Sequence, residues 1–224
     1  MGDKLPTINI IDALSEKLST YLAIKDSILE NEYVELLGDC SKVYGFLRNA
    51  SKLVARKRFE SFLKGFRDDE EPTEEQLAKL MKYIDNEQKA EFIADTFQKI
   101  LLSKSSKSCL IMGTIMQDIL KKKAELTLED LVCLDALTNF FDCDFENYRY
   151  ICNDAYPKTN KEFKLSTDWF VKCKEDDFSD ASVLLTVSKA VSHQLMNKDD
   201  DLSYSMTEPG DKLYEHILRI SENG

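Results

Sequence analysis

The chain has 224 residues, 43% hydrophobic and 10% aromatic, which is enough to bury a core in one large domain or two small ones. Its seven glycines and four prolines are few for the turns of a many-stranded sheet, so we expect a mostly α protein. The six cysteines form no Cys-x-x-Cys pair, the N-terminus has no signal-peptide pattern, and the longest apolar run, Cys109–Met116, is far shorter than the roughly 20 residues of a membrane span. We therefore expect a reduced, cytoplasmic, acidic protein with a net charge of −11.

The N-terminal half has the pattern of consecutive helices. Apolar residues recur at three- and four-residue intervals over residues 8–37, which predicts one long helix or two. Thr73 and Gln76 have the spacing of a capping box, and Asp85 and Gln88 repeat that spacing before another helix. The stretch Cys109–Leu120 is apolar nearly all round, as expected for a helix in the centre of a bundle.

A basic island covers Ser41–Arg67, where eight cations face the single acid Glu60. On a helix its later apolar residues form one stripe that includes Phe59 and Phe62. The residues with the best geometry for an exposed cationic face lie four apart or next to one another. They are Arg48, Lys52, Arg56, Lys57 and Arg58.

In the C-terminal half, Thr127 can cap a helix whose predicted inner face consists of Leu131, Leu134, Leu137, Phe140 and Phe141. Residues 142–165 alternate aromatic and polar side chains without a clear period, so we assign no structure to them, and we expect their acids to lie in solvated loops. Ser166 or Thr167 and then Ser179 can cap two further helices, the second burying Val183, Leu184, Val187, Val191 and Leu195. An alternating segment, Leu202–Met206, predicts a strand before the last helix.

The charge divides the chain near its middle. Residues 1–126 hold 20 Lys and Arg against 21 Asp and Glu, whereas residues 127–224 hold 10 against 20. The second part is therefore at −10 and the first at −1. We predict a helical domain over residues 1–125 and a second domain over residues 126–224.

The second domain resembles a winged helix-turn-helix. The similarity lies in the order of its elements and in the closing strand with Thr207-x-x-Gly210, in which threonine caps the last helix and glycine permits a tight turn. The resemblance implies a recognition helix at Ser179–Met196 and a wing at Asn197–Asp201. That helix offers only Lys189, His193 and Gln194 to DNA, and three aspartates at the wing tip would repel phosphates.

The whole chain also resembles a family of bacterial and prophage proteins named abortive infection alpha. The similar segments are the basic stretch Arg48–Phe66, the helix around Phe97–Leu102, the Leu-x-x-Leu-Asp motif of residues 131–135 and the Thr207-x-x-Gly210 motif. The resemblance implies a role in phage–host conflict and no known chemistry.

Sites for chemistry are not apparent. The only two histidines, His193 and His216, match no metal-binding spacing with the cysteines, and we expect His216 to be at the surface. The isolated glycines do not form a phosphate-binding loop, and the paired acids, including Glu175–Asp177, are typical of solvated segments. We predict no catalytic residue, metal or cofactor.

The first functional hypothesis is therefore a non-enzymatic module that binds another protein, with the basic island receiving an acidic partner, or simply forming a solvated face. The alternative is a winged-helix transcriptional regulator that binds DNA. An anionic membrane surface is a third possible ligand for the basic island, and association into homo-oligomers stays open.

Overall fold

In this computed structural model, the described residues are Lys17, Thr20 and residues 53–66, 73–121, 126–155 and 161–222. The helices predicted over residues 8–37 lie outside them, apart from Lys17 and Thr20, which are both helical. The described part contains nine helices and one three-stranded antiparallel sheet, so the prediction of a mostly α protein with a small α+β region is confirmed.

The chain forms two compact units, Met1–Leu102 with Met112–Ala124 and Ser103–Ile111 with Glu125–Gly224. The described helices of the first unit are α1 (Leu53–Phe66), α2 (Thr73–Tyr83) and α3 (Glu87–Leu102), and α4 (Ser106–Lys121) contributes residues to both units. The second unit contains, in order, α5 (Leu128–Asn139), α6 (Asp142–Ala155), β1 (Glu162–Lys164), α7 (Thr167–Glu175), α8 (Asp180–Ser192), β2 (Met196–Lys198), β3 (Ser203–Met206) and α9 (Glu208–Glu222).

A phenylalanine cluster forms the centre of the first unit. Phe59, Phe62 and Phe66 lie on one side of α1, where their i, i+3 and i+4 spacing brings them together, and Phe97 of α3 meets Phe59 and Phe62 edge-on at 6.0 and 6.1 Å between ring centroids. Gly113 of α4 approaches the same helix so closely that a Cβ there would lie 2.1 Å from the Phe62 carbonyl oxygen. The stripe predicted within the basic island is thus the buried side of α1.

Two of the predicted helix caps are confirmed. The Thr127 hydroxyl accepts from the backbone N–H of Asp130 at 3.3 Å, and the Asp130 carboxylate accepts from the Thr127 N–H at 3.2 Å, which completes a capping box at the start of α5. The Ser166 hydroxyl accepts from the Trp169 N–H at 3.2 Å and caps α7.

Two other helix starts differ from the prediction. The side chain that accepts from the first turn of α3 belongs to Asn86, whose Oδ1 is 2.9 Å from the Lys89 nitrogen, one residue later than the predicted Asp85. Ser179 occupies the cap position of α8, but its hydroxyl makes no capping bond. Spacing alone does not distinguish adjacent residues that can both cap a helix.

The structure of residues 142–165, which the sequence left unassigned, includes α6 and β1. The inner face of α6 has ordinary helical spacing, but two of its buried residues, Asp144 and Asn147, are polar. They interrupt the apolar period that would have indicated a helix. Strand β1 has only three residues, too few for an alternating pattern to be recognised.

Strand β3 is the central strand of the sheet, with the order β1-β3-β2 and antiparallel pairing on both sides. Phe163 of β1 lies opposite Tyr204, and Met196 of β2 lies opposite Met206. The predicted strand over residues 202–206 is confirmed as β3. The hairpin between β2 and β3 carries Asp199–Asp201 at its turn, where the wing tip was predicted.

The corner between β3 and α9 depends on Thr207 and Gly210. The Thr207 hydroxyl donates to the Gln194 carbonyl at 2.7 Å and accepts from the Gly210 N–H at 3.2 Å, so it caps α9 and also ties it to the end of α8. Gly210 is needed for close approach rather than for an unusual turn, because its φ is not positive and a Cβ there would lie 2.0 Å from the Leu195 carbonyl oxygen.

Replacing Gly210 with alanine should therefore destabilise the protein by about 2–3 kcal/mol, because the methyl group overlaps backbone that cannot move away cheaply. Chemical denaturation followed by the fluorescence of Trp169, the only tryptophan and 6% exposed, measures the change. Glu215→Ala, at an exposed position of the same helix, is the control and should change the free energy of unfolding by less than about 0.5 kcal/mol. A Gly210→Ala protein as stable as this control would contradict the assignment.

Candidate functional site

The residues predicted to bind a partner are only partly described. Arg48 and Lys52 lie outside the described residues, and for Arg56 the structure gives only its place in α1. Lys57 is exposed. Arg58 donates from Nη1 to the Leu101 carbonyl oxygen at 2.8 Å, which places a cation at the C-terminal end of α3 and gives this side chain a structural contact. Partner binding by the basic island stays a prediction.

Lys189, the one lysine of the proposed recognition helix, is turned into the second unit. Its ammonium pairs with the carboxylate of Asp144, whose side chain is 1% exposed, and lies 4.1 Å from the ring centroid of Phe141. His193, just beyond α8, has Nδ1 3.3 Å from an Asp135 carboxylate oxygen. Two of the three side chains predicted to face DNA are therefore engaged by carboxylates of the same unit.

The third, Gln194, ends α8 in the left-handed conformation with φ 59°. The Gln194 N–H donates to the Val191 carbonyl at 3.1 Å and the Leu195 N–H donates to the Ala190 carbonyl at 2.8 Å, the two bonds of a Schellman motif. Asp177, at φ 64°, ends α7 in the same way. The turns after both helices are thus fixed by backbone hydrogen bonds.

Asp144 is the centre of a closed polar cluster between α6 and α8. The prediction that it lies in a solvated loop is therefore wrong. Its carboxylate accepts from the Phe141 N–H at 2.7 Å and from the Thr186 hydroxyl at 2.6 Å, in addition to Lys189. Asn147 donates to the Thr186 hydroxyl oxygen at 3.0 Å and to the Ser182 hydroxyl oxygen at 2.7 Å. Both carboxylate oxygens are used within the protein, so the cluster positions helices rather than presenting a general base.

From Ala181 to Ser188 the solvent-facing side of α8 is uncharged and partly apolar. Leu184 and Leu185 are 44% and 50% exposed, although Leu184 was predicted to be buried. Ala181 precedes this pair and Ser188 follows it, both exposed and three or four residues away, so they share its face. This side of α8 therefore presents two leucines between small side chains.

Apolar side chains are also exposed elsewhere in the second unit. Leu131 and Phe141, both predicted on the inner face of α5, are 39% and 43% exposed, and Leu128 is 70% exposed. The Lys189 and Lys104 ammonium groups lie over the Phe141 ring, at 4.1 and 5.2 Å from its centroid. Val171 of α7 is 50% exposed.

Most described cations of the second unit are occupied by its own carboxylates. The pairs within 4.0 Å are Lys107–Glu146, Arg149–Glu146, Lys161–Asp211, Lys172–Asp154, Lys174–Asp180, Lys189–Asp144, Lys198–Asp201 and Lys212–Asp130. Asp168, Glu175 and Asp177 are exposed and, among the described residues, have no such cation. The surface charge left over is negative.

The described cysteines and histidines do not form a reactive site. Burial raises the pKa of Cys133 to about 12 and that of Cys152 above its usual value, so both thiols stay protonated and weakly nucleophilic at neutral pH. Within the described ranges no three Cys, His, Asp or Glu side chains are arranged to hold a metal ion. His216, predicted at the surface, is 2% exposed, because α9 packs against both α5 and α6.

Comparison with known proteins found no matching family model, no matching curated protein and no matching solved structure. Among the helices of the described segments, none combines the length and the hydrophobicity that crossing a membrane requires.

The Asp144 cluster should be the most sensitive polar site of the second unit. Asp144→Ala removes the carboxylate that pairs with Lys189 and accepts from the Phe141 N–H and the Thr186 hydroxyl, and we expect a loss of roughly 3–5 kcal/mol in the free energy of unfolding. Glu146→Ala on the same helix removes a partly exposed pair with Lys107 and Arg149 and should cost at most about 1 kcal/mol. Equal losses in urea denaturation of the two variants would contradict a special role for Asp144.

Asp200, in the turn between β2 and β3, should titrate with a pKa below the usual aspartate value. Backbone N–H donors of Leu202 and Ser203 hold the pKa of Asp200 below the usual aspartate value of 3.8. Because the folded-state pKa is depressed, the carboxylate stabilises the hairpin above pH 3.8, and this contribution is lost as the pH falls through the lower pKa. The backbone amide shifts of Leu202 and Ser203 in NMR spectra should change with a midpoint below 3.8, and Asp200→Asn should remove that transition. A midpoint at or above 3.8 would refute the assignment.

Proposed function

We propose that the second unit is a winged-helix scaffold that binds another protein through α8, and that the chain is not an enzyme. The order α6, β1, α7, α8, β2, β3 and the sheet order β1-β3-β2 support the winged-helix assignment. The observation that carries the function is the uncharged face of α8 with Leu184 and Leu185. Exposed apolar groups on a helix are typical of protein docking surfaces.

DNA binding by the same elements is the weaker alternative. Affinity for DNA comes largely from cations that neutralise phosphates, and specificity from polar side chains that reach base edges. On α8 the single lysine is paired with buried Asp144, and the wing tip carries Asp199–Asp201. A duplex would therefore meet leucines and carboxylates where it requires cations.

The basic island is a second candidate surface, and Arg48, Lys52, Arg56 and Lys57 are its predicted partner-binding residues other than Arg58. An acidic protein or a nucleic-acid backbone are the ligands that its charge favours. A role in phage–host conflict is the process that the resemblance to the abortive infection alpha family implies, and a partner from a phage or its host is the corresponding expectation.

Affinity capture with matched variants tests the proposal. The full chain is immobilised as wild type, as Leu184→Ser with Leu185→Ser, and as Leu128→Ser with Leu131→Ser on α5, and is exposed to host and phage lysate. We expect a saturable partner that the wild type and the α5 variant retain and that the α8 variant loses by roughly 10–100-fold in affinity, since two partly buried leucine contacts are worth about 1.4–2.8 kcal/mol. Circular dichroism confirms that both variants are folded.

A gel-shift titration tests the alternative function, DNA binding. We expect no complex between the wild type and duplex DNA at moderate salt, because the required cations on α8 are occupied. Two results together would favour DNA binding over protein binding. The first is a DNA complex that weakens steeply with salt and still forms with Leu184→Ser with Leu185→Ser. The second is that the capture experiment finds no protein partner whose binding depends on α8.

A further inference from the structure

We infer that the partner of α8 is a cationic amphipathic segment, with an apolar stripe bordered by lysine or arginine, a conclusion that rests on the proposed protein-binding function. The two exposed leucines of α8 follow an acidic segment that reaches to the first residue of this helix, which we call the acidic border. These two features together specify the chemistry of the occupant.

The apolar centre has the shape of a ridge. Leu184 and Leu185 project between Ala181 and Ser188, whose side chains are short, so space remains on both sides of the leucines. Side chains of a partner helix can enter that space, as in ridges-into-grooves packing. A flat, polar surface would leave both leucines in water.

The acidic border runs from α7 to the N-terminal end of α8. Asp180 is one turn before Leu184 and shares its face, Asp177 lies in the exposed turn before α8, and Glu175 is the last residue of α7. On α7, exposed Val171 lies between Asp168 and Glu175 at three- and four-residue spacing. Residues 167–181 contain five acids against Lys172 and Lys174, a net charge of −3.

The two lysines in this segment do not offset the border for an incoming ligand. Lys174 pairs with Asp180 at 3.0 Å, and Lys172 lies 4.0 Å from Asp154 and over the Tyr150 ring. Asp168, Glu175 and Asp177 have no ion pair within the described residues, so they are available to cations of a partner. Complementary charge would also accelerate the encounter and select against acidic competitors.

The same charges argue against a nucleic acid as the occupant. A nucleic acid would place its phosphates against the same carboxylates. A basic amphipathic segment is the occupant that satisfies both the leucines and the acids.

Two synthetic helical peptides of equal length and equal leucine spacing test the inference, one with lysine and the other with glutamate at the remaining charged positions. Fluorescence anisotropy with the full chain should show that the lysine peptide binds at least about tenfold more tightly and that its affinity falls on raising the salt from about 50 to 300 mM. Equal affinities, tighter binding of the glutamate peptide, or no binding of either peptide would overturn it.

Paired variants locate the binding. Leu184→Ser with Leu185→Ser, and separately Glu175→Gln with Asp177→Asn, should each weaken the lysine peptide about tenfold or more, and the second pair should also reduce the salt dependence. Glu208→Gln with Glu215→Gln removes the same charge from exposed positions of α9 and should leave the affinity within about twofold. Loss of affinity in the control equal to that in the acidic-border variant would indicate non-specific attraction and reject the site.

The failure of this inference is distinguishable from failure of the proposed function. A lysate partner that requires Leu184 and Leu185, combined with peptides that bind without charge preference, would leave the protein-binding function and reject the basic partner. A light-scattering mass that doubles with concentration in the wild type and not in Leu184→Ser with Leu185→Ser would assign the face to a second copy and likewise reject it.

Discussion

The buried ion pair between Asp144 and Lys189 is the constraint on which the arrangement of the second unit depends. A carboxylate at 1% exposure is tolerable only if its charge is compensated, and here the compensation comes from α8 while the carboxylate belongs to α6. Thr186 and Asn147 extend the same connection by hydrogen bonds. Slippage of α8 along α6 by even one residue would separate these partners, so the pair fixes the register between the helices.

Because Lys189 pairs with Asp144, its charge is absent from the solvent-facing side of α8. A lysine turned inward leaves leucine, alanine and serine on the solvent-facing side of α8 from Ala181 to Ser188. Under the winged-helix proposal α8 takes the recognition position, and its one lysine is bound within the unit instead of being presented to a duplex.

Local signals in the sequence were sufficient for the mostly α class, the caps at Thr127, Ser166 and Thr207, and strand β3, because each depends on residues only a few positions apart. The α6 helix was missed because Asp144 and Asn147 lie on its inner face. Their burial is compensated by hydrogen bonds to partners some 40 residues away. Leu184 was predicted to be buried because an apolar residue at helical spacing is ordinarily buried, but in the structure it is exposed. The three aspartates between β2 and β3 are evident from the sequence, whereas the ion pair between Lys189 and Asp144 could be recognised only from the structure.

The two hydrogen bonds of the Thr207 hydroxyl determine where this fold can tolerate changes in its sequence. Its hydroxyl connects the carbonyl of Gln194, before the hairpin, to the N–H of Gly210, after it, so the two ends of the β2–β3 hairpin are joined at the base. Whatever happens at the tip is thereby isolated from α9. An insertion between Asp199 and Leu202, such as a peptide tag, costs the entropy of a longer loop and the Asp200 hydrogen bonds to Leu202 and Ser203, while the corner at the base of the hairpin keeps the packing of the last helix unchanged.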